Sequence, residues 1–260
     1  MEIYTNLNIK NKHKNSVIAI GNFDGVHLGH KKVIVQAKQK AKKKNLPFGI
    51  ITFEPVPVMF FNRNITNHRI NSLDQKKSQL KNLKIDFLII IKFNKKFSSI
   101  SAEKFIQNII YRKTMSKYIF VSKNFKFGKN RLGNVDVLKK FEKIFNYKTI
   151  ITTPLMKHKK IISSTLIRSK IHSGRILEST NLLGRLWSIK GKVIKGMRRG
   201  SKIGFPTCNI KLNDYIIPKL GVYSVVVESD NFKKQGIANV GYRPTFNGQN
   251  LLLEVNIFGI

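Results

Sequence analysis

The 260-residue sequence predicts an α/β fold, a parallel sheet covered by helices on both faces, followed by a small antiparallel β-barrel. Three observations predict it. Near-continuous apolar runs alternate with helix-like segments through the first two-thirds of the chain, the pattern of strands buried on both faces. After Gly184 the segments become short and β-rich, separated by Gly, Pro, Asn and Asp. The apolar share of 42%, with 10% aromatics, is enough for a substantial core and excludes a disordered chain.

Each element has its own justification. Val17–Ile20 reads as a first buried strand, followed by a turn and a helix from about His30 to Lys43. Phe48–Phe53 is the next strand, ended by Pro55 and Pro57. Ser72-Leu73-Asp74-Gln75 has the form of a capping box opening a helix towards Leu83. Ile85–Ile91 reads as a strand, Ala102–Tyr111 as a helix, Tyr118–Val121 as a strand, Val135–Phe145 as a helix and Lys148–Thr152 as a strand. Ser164–His172 and Ile176–Leu183 read as short helices, divided by the stop signal Gly174. Trp187–Lys195, Gly221–Glu228, Lys234–Val240 and Leu251–Phe258 are the β-rich segments of the second part. The boundary near Gly184 gives domains 1–184 and 185–260.

No apolar run is long enough to cross a bilayer, and the polar, lysine-bearing Met1–Asn15 is not a secretory signal. A single cysteine, Cys208, excludes an intramolecular disulfide and is expected to pack rather than react. A cytoplasmic protein is expected. The formal charge of +36 suits phosphate-bearing partners. Its lysines are spread along the chain with Ile, Asn and Phe, as a compositional bias spreads them. Small-molecule partners are therefore expected, with no specific nucleic acid and no membrane.

The most informative block is Gly21-Asn22-Phe23-Asp24-Gly25-Val26-His27-Leu28-Gly29-His30, between the first strand and the first helix. Glycines let backbone approach a phosphate, and a helix N-terminus offers free N–H groups and a positive dipole. His27 and His30 add donors able to stabilise charge on a phosphoryl group and its leaving pyrophosphate. As metal ligands the two histidines would lack a third partner in any coherent motif. Ser163, Ser164 and Thr165 stand at a later helix start, with Arg168 one turn on. Alone they read as a helix cap; as an anion site they would complete a phosphate pocket.

His27-Leu28-Gly29-His30 resembles the His-x-Gly-His signature of the nucleotidylyltransferase superfamily, and the longer block resembles the bacterial bifunctional riboflavin kinase/FMN adenylyltransferases. Thr52-Phe53-Glu54-Pro55-Val56-Pro57 is similar to the family's second-strand motif, with Val56 where the family usually has His. Asn124-Phe125-Lys126-Phe127-Gly128 resembles its Asn-Phe-x-Phe-Gly loop, and Ser163-Ser164-Thr165-Leu166-Ile167-Arg168 its Ser-Ser-Thr-x-x-Arg segment. Lys113-Thr114-Met115-Ser116-Lys117 partly echoes a motif of class I aminoacyl-tRNA synthetases, but its place before a central strand makes it a helix-to-strand connector.

The resemblance implies a Rossmann-like nucleotidylyltransferase domain that transfers AMP from ATP to FMN with Mg²⁺. It implies His27, His30 and Arg168 as catalytic residues and Gly21, Phe23, Asp24, Gly29, Ser163, Ser164 and Thr165 as the ATP site. Asn124 is implied on the flavin side.

In the second part, Arg198–Asn209 suits a basic loop folded around phosphate, and Thr207 and Asn209 offer neutral oxygens to Mg²⁺. Gly204-Phe205-Pro206-Thr207-Cys208-Asn209 resembles the riboflavin kinase motif, with Lys195 where relatives often have His. Asn239-Val240-Gly241-Tyr242-Arg243-Pro244-Thr245-Phe246 resembles a further strand and turn of that domain. Glu254 aligns with the family's base for the ribityl hydroxyl, although its apolar neighbours also suit an outward-facing strand residue. The resemblance implies phosphorylation of riboflavin by ATP. It also implies a kinase domain that is C-terminally incomplete at Ile260, with Leu251–Phe258 left as an unpaired edge and kinase activity impaired. The alternatives are a monofunctional FMN adenylyltransferase with a vestigial barrel and a basic nucleic-acid-binding module.

Overall fold

The computed structural model of the chain describes residues 1–157, 159–194, 206–245 and 248–259, and the side chains of 243–250 are outside the description. Lys195, residues 198–205 of the basic cluster and Phe246 lie outside the described residues. The chain forms two compact units, Met1–Ile65 with Leu73–Ser164, and Thr66–Ser72 with Thr165–Ile260.

In the first unit, strands β1 (Glu2–Tyr4), β2 (Val17–Ile20), β3 (Phe48–Glu54), β4 (Phe87–Lys92), β5 (Tyr118–Ser122) and β6 (Lys148–Thr152) form one sheet in the order β1-β4-β3-β2-β5-β6. Every pairing is parallel. Alternate residues serve opposite faces, as a strand's period of two requires. Ile18, Ile20, Ile51, Ile89 and Val121 join one core, whereas Val17, Ala19, Ile50, Leu88 and Phe120 join the other. Helix α1 (Leu28–Lys44) supplies Ile34, Ala37 and Ala41 to the second core.

The short α2 (Pro57–Phe61) follows β3, and α3 (Leu73–Asn82) precedes β4. After β4 come α4 (Lys95–Ser98) and α5 (Ala102–Phe105), then, beyond β5, α6 (Val135–Lys140) and α7 (Glu142–Phe145). A small hairpin, β7 (Met156–Lys157) with β8 (Lys160–Ile161), leads towards α8 (Ser164–His172).

Several expectations shift. The helix expected over Ala102–Tyr111 continues as a π-helix over Ile106–Thr114, with Ile106, Ile109 and Ile110 buried. Thr114 Oγ1 donates to the Ile110 carbonyl (3.0 Å) and meets Ser116 Oγ (2.7 Å), while Met115 turns left-handed at φ 50°. The synthetase-like pentapeptide thus spans the helix end and the step into β5, the helix-to-strand connector that was expected. The helix expected over Val135–Phe145 breaks at Phe141, where φ −93° and ψ 0° leave the helical region. Strand β1 had no alternating pattern to announce it; it forms because the edge of β4 accepts it, Glu2 opposite Phe87.

The second unit contains α8 from Thr165 onward, α9 (Ile176–Leu183) and an antiparallel sheet. The sheet comprises β9 (Val193–Ile194), β10 (Thr207–Lys211), β11 (Gly221–Glu228), β12 (Lys233–Thr245) and β13 (Gly248–Ile257), in the order β11-β12-β13-β10-β9. Leu212, Ala238, Val240, Leu253 and Val255 form its core. The Thr66–Ser72 segment is bound into this unit: the N–H groups of His68 and Arg69 both donate to the Asp214 carbonyl at 2.8 Å, and Trp187 Nε1 donates to the Ile70 carbonyl at 2.8 Å.

Two expectations fail here. Thr207–Lys211 is a strand rather than part of a phosphate loop. β13, expected as an unpaired edge, is internal, with β12 on one side and β10 on the other. Its apolar residues Leu253 and Val255 gain a partner on each flank, which settles the register.

Candidate functional site

In the parallel sheet, chain order reverses between β2 and β5: from β2 the path proceeds outward through β3 and β4, then returns to β5 and β6. Ligands bind in such sheets beyond the carboxyl ends of the strands at that switch point. The Gly21–His30 loop follows β2, Asn124 lies two residues beyond β5, and Val56 two residues beyond β3.

The loop is tightly determined. Gly21 N–H donates to the Ile51 carbonyl (3.1 Å), and Val26 N–H to that of Phe23 (3.2 Å). Phe23, Gly25 and Val26 have φ of 48°, 82° and 39°. Such a backbone is natural for glycine and costly for phenylalanine and above all for β-branched valine. Burial compensates: Phe23 is 2% and Val26 0% exposed, both inside the core shared with α1. Phe23 and Asp24 are therefore present to a ligand mainly through their backbone, Asp24 being 3% exposed.

His27 is the N-cap of α1. The His30 N–H donates to its Nδ1 (3.3 Å), which leaves Nε2 to carry the proton of the neutral ring. The two imidazoles stack with centroids 3.6 Å apart, and Phe23 packs on His30 at 5.1 Å. Gly29 suits this stack: a Cβ there would lie 3.1 Å from the His27 ring and from the Ile162 carbonyl, so one of them would have to give way. Among the described residues no group of three or more His, Cys, Asp and Glu gathers as a metal site.

Side chains from three other elements hold the loop's carbonyls. Ser164 Oγ, at the start of α8, donates to Asp24 (2.9 Å). Thr52 Oγ1 on β3 and Lys76 Nζ on α3 each donate to Asn22 at 3.0 Å. Lys76 is 1% exposed and was missed by sequence reasoning. Its signal was there: with Leu73, Leu80 and Leu83 it keeps a 3-4-3 spacing, so it occupies an apolar-stripe position.

The remaining sequence-predicted residues lie on other segments of the chain. Asn124 is exposed in the turn after β5, and Ser163 is half-buried before α8. Val56 is 2% exposed, a dry position that suits an apolar side chain where a histidine would require a partner. In the second unit Thr165 is exposed, and Arg168 Nε donates to the His68 carbonyl (2.9 Å), which fixes its guanidinium.

The antiparallel sheet assembles a second group by register alone. Asn209 on β10 stands opposite Glu254 on β13, which stands opposite Asn239 on β12, and Thr207 stands opposite Asn256. Thr207 and Asn209, two apart, share the face opposite the apolar core. Asn209 is 5% exposed, and its Oδ1 is buried without a hydrogen-bond partner. A buried, unsatisfied carbonyl oxygen beside a hydroxyl and a carboxylate is an all-oxygen donor set that fits a hard divalent cation. Cys208 turns to the other face against the core, and burial pushes its thiol pKa up.

A glycine loop and capped helix at the switch point of a parallel sheet define a nucleotide-binding α/β protein. Residues 9–166 match the FAD synthetase family and residues 183–260 the riboflavin kinase family. The chain is 42% identical over 255 residues to the bifunctional riboflavin kinase/FMN adenylyltransferase of Buchnera aphidicola subsp. Schizaphis graminum, covering 96% of this chain and 82% of that protein. It is 38% identical to the namesake from Listeria monocytogenes, covering 94% and 78%. A crystal structure described as a macrolide-efflux protein from Streptococcus pneumoniae has a TM-score of 0.85 at 31% identity, covering 99% of this chain and 84% of that one. Efflux is said of that protein; among the described residues here no helix is long and apolar enough to cross a membrane. The chain belongs to the bifunctional riboflavin kinase/FMN adenylyltransferase family.

Proposed function

We propose that this chain makes FAD from riboflavin in two ATP-consuming steps, at two sites. The observation that carries the reading is that each matched family segment contains its own converging set of polar groups, the pinned loop after β2 and the Thr207–Asn209–Glu254 group. The functional division follows at 1–184 and 185–260, supported by the kinase match beginning at 183.

In the adenylyl transfer an FMN phosphate oxygen attacks the α-phosphorus of ATP, and the bond to the bridging oxygen breaks to release pyrophosphate. Positioning and charge stabilisation suffice, without a covalent nucleophile. His27 and His30 serve the ATP phosphates, a role that the family's motif also assigns to Ser163, Ser164, Thr165 and Arg168. Gly21, Phe23, Asp24 and Gly29 border the nucleotide, and Asn124 contacts the flavin side. In the kinase step Glu254 accepts the proton of the ribityl hydroxyl as that oxygen attacks the γ-phosphorus and ADP leaves. Thr207 and Asn209 would hold Mg²⁺, which when bound neutralises charge on the ATP phosphates. Cytoplasmic placement and small-molecule partners belong to the same reading.

The test supplies riboflavin, ATP and Mg²⁺ to the purified protein and separates the flavins by chromatography. FMN should appear first and FAD after it. A protein that leaves supplied FMN unchanged contradicts the reading.

A further inference from the structure

We infer that Tyr4 and His13 form an acid-sensitive clasp, which holds β1 on the edge of β4 and releases it when the imidazole takes a second proton.

Strand β1 has three residues and pairs only with β4, so its ladder is short and lies at the margin of the sheet. Side chains supply what the ladder lacks. Tyr4 is 9% and His13 6% exposed, and the Tyr4 hydroxyl lies 2.8 Å from His13 Nδ1. The His13 ring stacks on Phe87, with centroids 4.6 Å apart and 23° between the planes. Tyr4 meets His13 and Phe87 edge-on, at 5.7 and 6.4 Å. Phe87 is the β4 residue opposite Glu2. The turn Asn11–His13 therefore folds back over β1 and is fastened to the neighbouring strand through one imidazole.

The proton count makes this fastening conditional. The Lys10 N–H donates to the Tyr4 oxygen at 3.4 Å, so the phenol directs its own proton to Nδ1. Nδ1 is then the acceptor, and Nε2 carries the proton of a neutral ring. A second proton enters at Nδ1, inside the 2.8 Å contact. The phenol has to turn its proton away, and its oxygen faces two donors where it had one.

The charged groups around the ring nearly offset one another. Glu2 on β1 has a carboxylate oxygen 3.9 Å from Nδ1, and Asp86 stands just before β4. Both attract an imidazolium. Lys10 and Lys12, on either side of the start of the turn, repel it, and they already bind Glu2 at 2.6 and 3.1 Å. Burial decides the balance and pushes the His13 pKa below its ordinary 6.5. The neutral ring belongs to the closed clasp. Its contribution is complete above pH 6.5 and is lost as the pH falls through the lowered value. Lys10 and Lys12 hold the Glu2 carboxyl at about 2, so Glu2 stays ionised through that window.

Hydrogen exchange read by mass spectrometry on the whole protein, corrected for the intrinsic rate, tests the clasp at about pH 7.5 and about pH 5. Protection of residues 1–16 should fall severalfold at the lower pH, while that of β3 is kept. His13→Gln, which cannot titrate, and Tyr4→Phe with His13→Phe, which keeps the aromatic packing, should each show the same protection at both pH values. In the wild-type protein the His13 C2 proton, followed by NMR, should titrate below pH 6.5 and in step with the loss of protection. Equal wild-type protection at the two pH values would overturn the inference. So would a loss in His13→Gln as large as in wild type, which would assign the effect to another group. A His13 titration at or above the ordinary value would overturn it even if every variant failed to fold.

Discussion

The loop after β2 passes through positive φ at Phe23, Gly25 and Val26 and is held by Thr52, Lys76 and Ser164 from three other elements, whereas the polar row on the second sheet is lined up by strand register. There the ladder does the positioning: Asn209 faces Glu254 and Thr207 faces Asn256 because β10 and β13 are in register. The two constructions fail differently. A loop site is sensitive to residues far away in sequence that never touch substrate. A strand site tolerates remote change but loses everything to a slip of one residue, which turns each side chain to the opposite face.

The largest expected effect is at the strand site. Glu254→Gln should lower riboflavin phosphorylation about a thousandfold, the usual contribution of a general base, while FAD formation from FMN continues. Flavin chromatography with each substrate in turn reads both rates. At the loop site His30→Ala should lower FAD formation from FMN by about a hundredfold and spare FMN formation, because an oriented donor to developing charge is lost. Near-normal FAD synthesis by the folded variant would remove His30 from the site.

Asn209→Ala removes the buried carbonyl oxygen without disturbing the ladder. The Mg²⁺ concentration giving half-maximal kinase activity should rise roughly tenfold, with the adenylyltransferase requirement unchanged. A metal titration of both activities checks it. Cys208 lies between Thr207 and Asn209 on the opposite face, and desolvation holds its thiol pKa above the usual value. The thiolate is thus scarcer than for a free cysteine at neutral pH and becomes abundant only at higher pH. Alkylation by iodoacetamide followed by mass spectrometry should be slow near pH 7 and accelerate above the ordinary thiol range. The smallest effect concerns the charge of +36. Duplex DNA should bind weakly and be released by moderate salt, with no preference among sequences in a titration.

Much of this was legible in the sequence where local signals agree. Val17–Ile20, Lys148–Thr152, Ser164–His172 and Ile176–Leu183 were delimited to the residue, because apolar runs ended at clear polar or glycine stops. The loop motif and Thr207, Asn209 and Glu254 are legible as candidates from their residue types and from the motifs they resemble. What stayed hidden depends on partners distant in the chain. Strand β10 follows Pro206 and a glycine-rich basic run, and its pairing with β13 is formed by residues far downstream. Strand β1 is defined only by the edge of β4. Lys76 was passed over because a lysine in a helix normally marks the solvated face, and only the packing of α3 on the loop turns it inward.

The central claim is that one chain carries two separable sites, and complementation tests it most directly. His30→Ala and Glu254→Gln are each given riboflavin, ATP and Mg²⁺, singly and mixed. Alone, the first should accumulate FMN and the second should leave riboflavin untouched, with FAD negligible in both. Mixed, they should produce FAD from riboflavin, as FMN released by one variant is adenylylated by the other. A mixture of folded variants that makes no FAD, or single variants that each lose both reactions, would contradict the account.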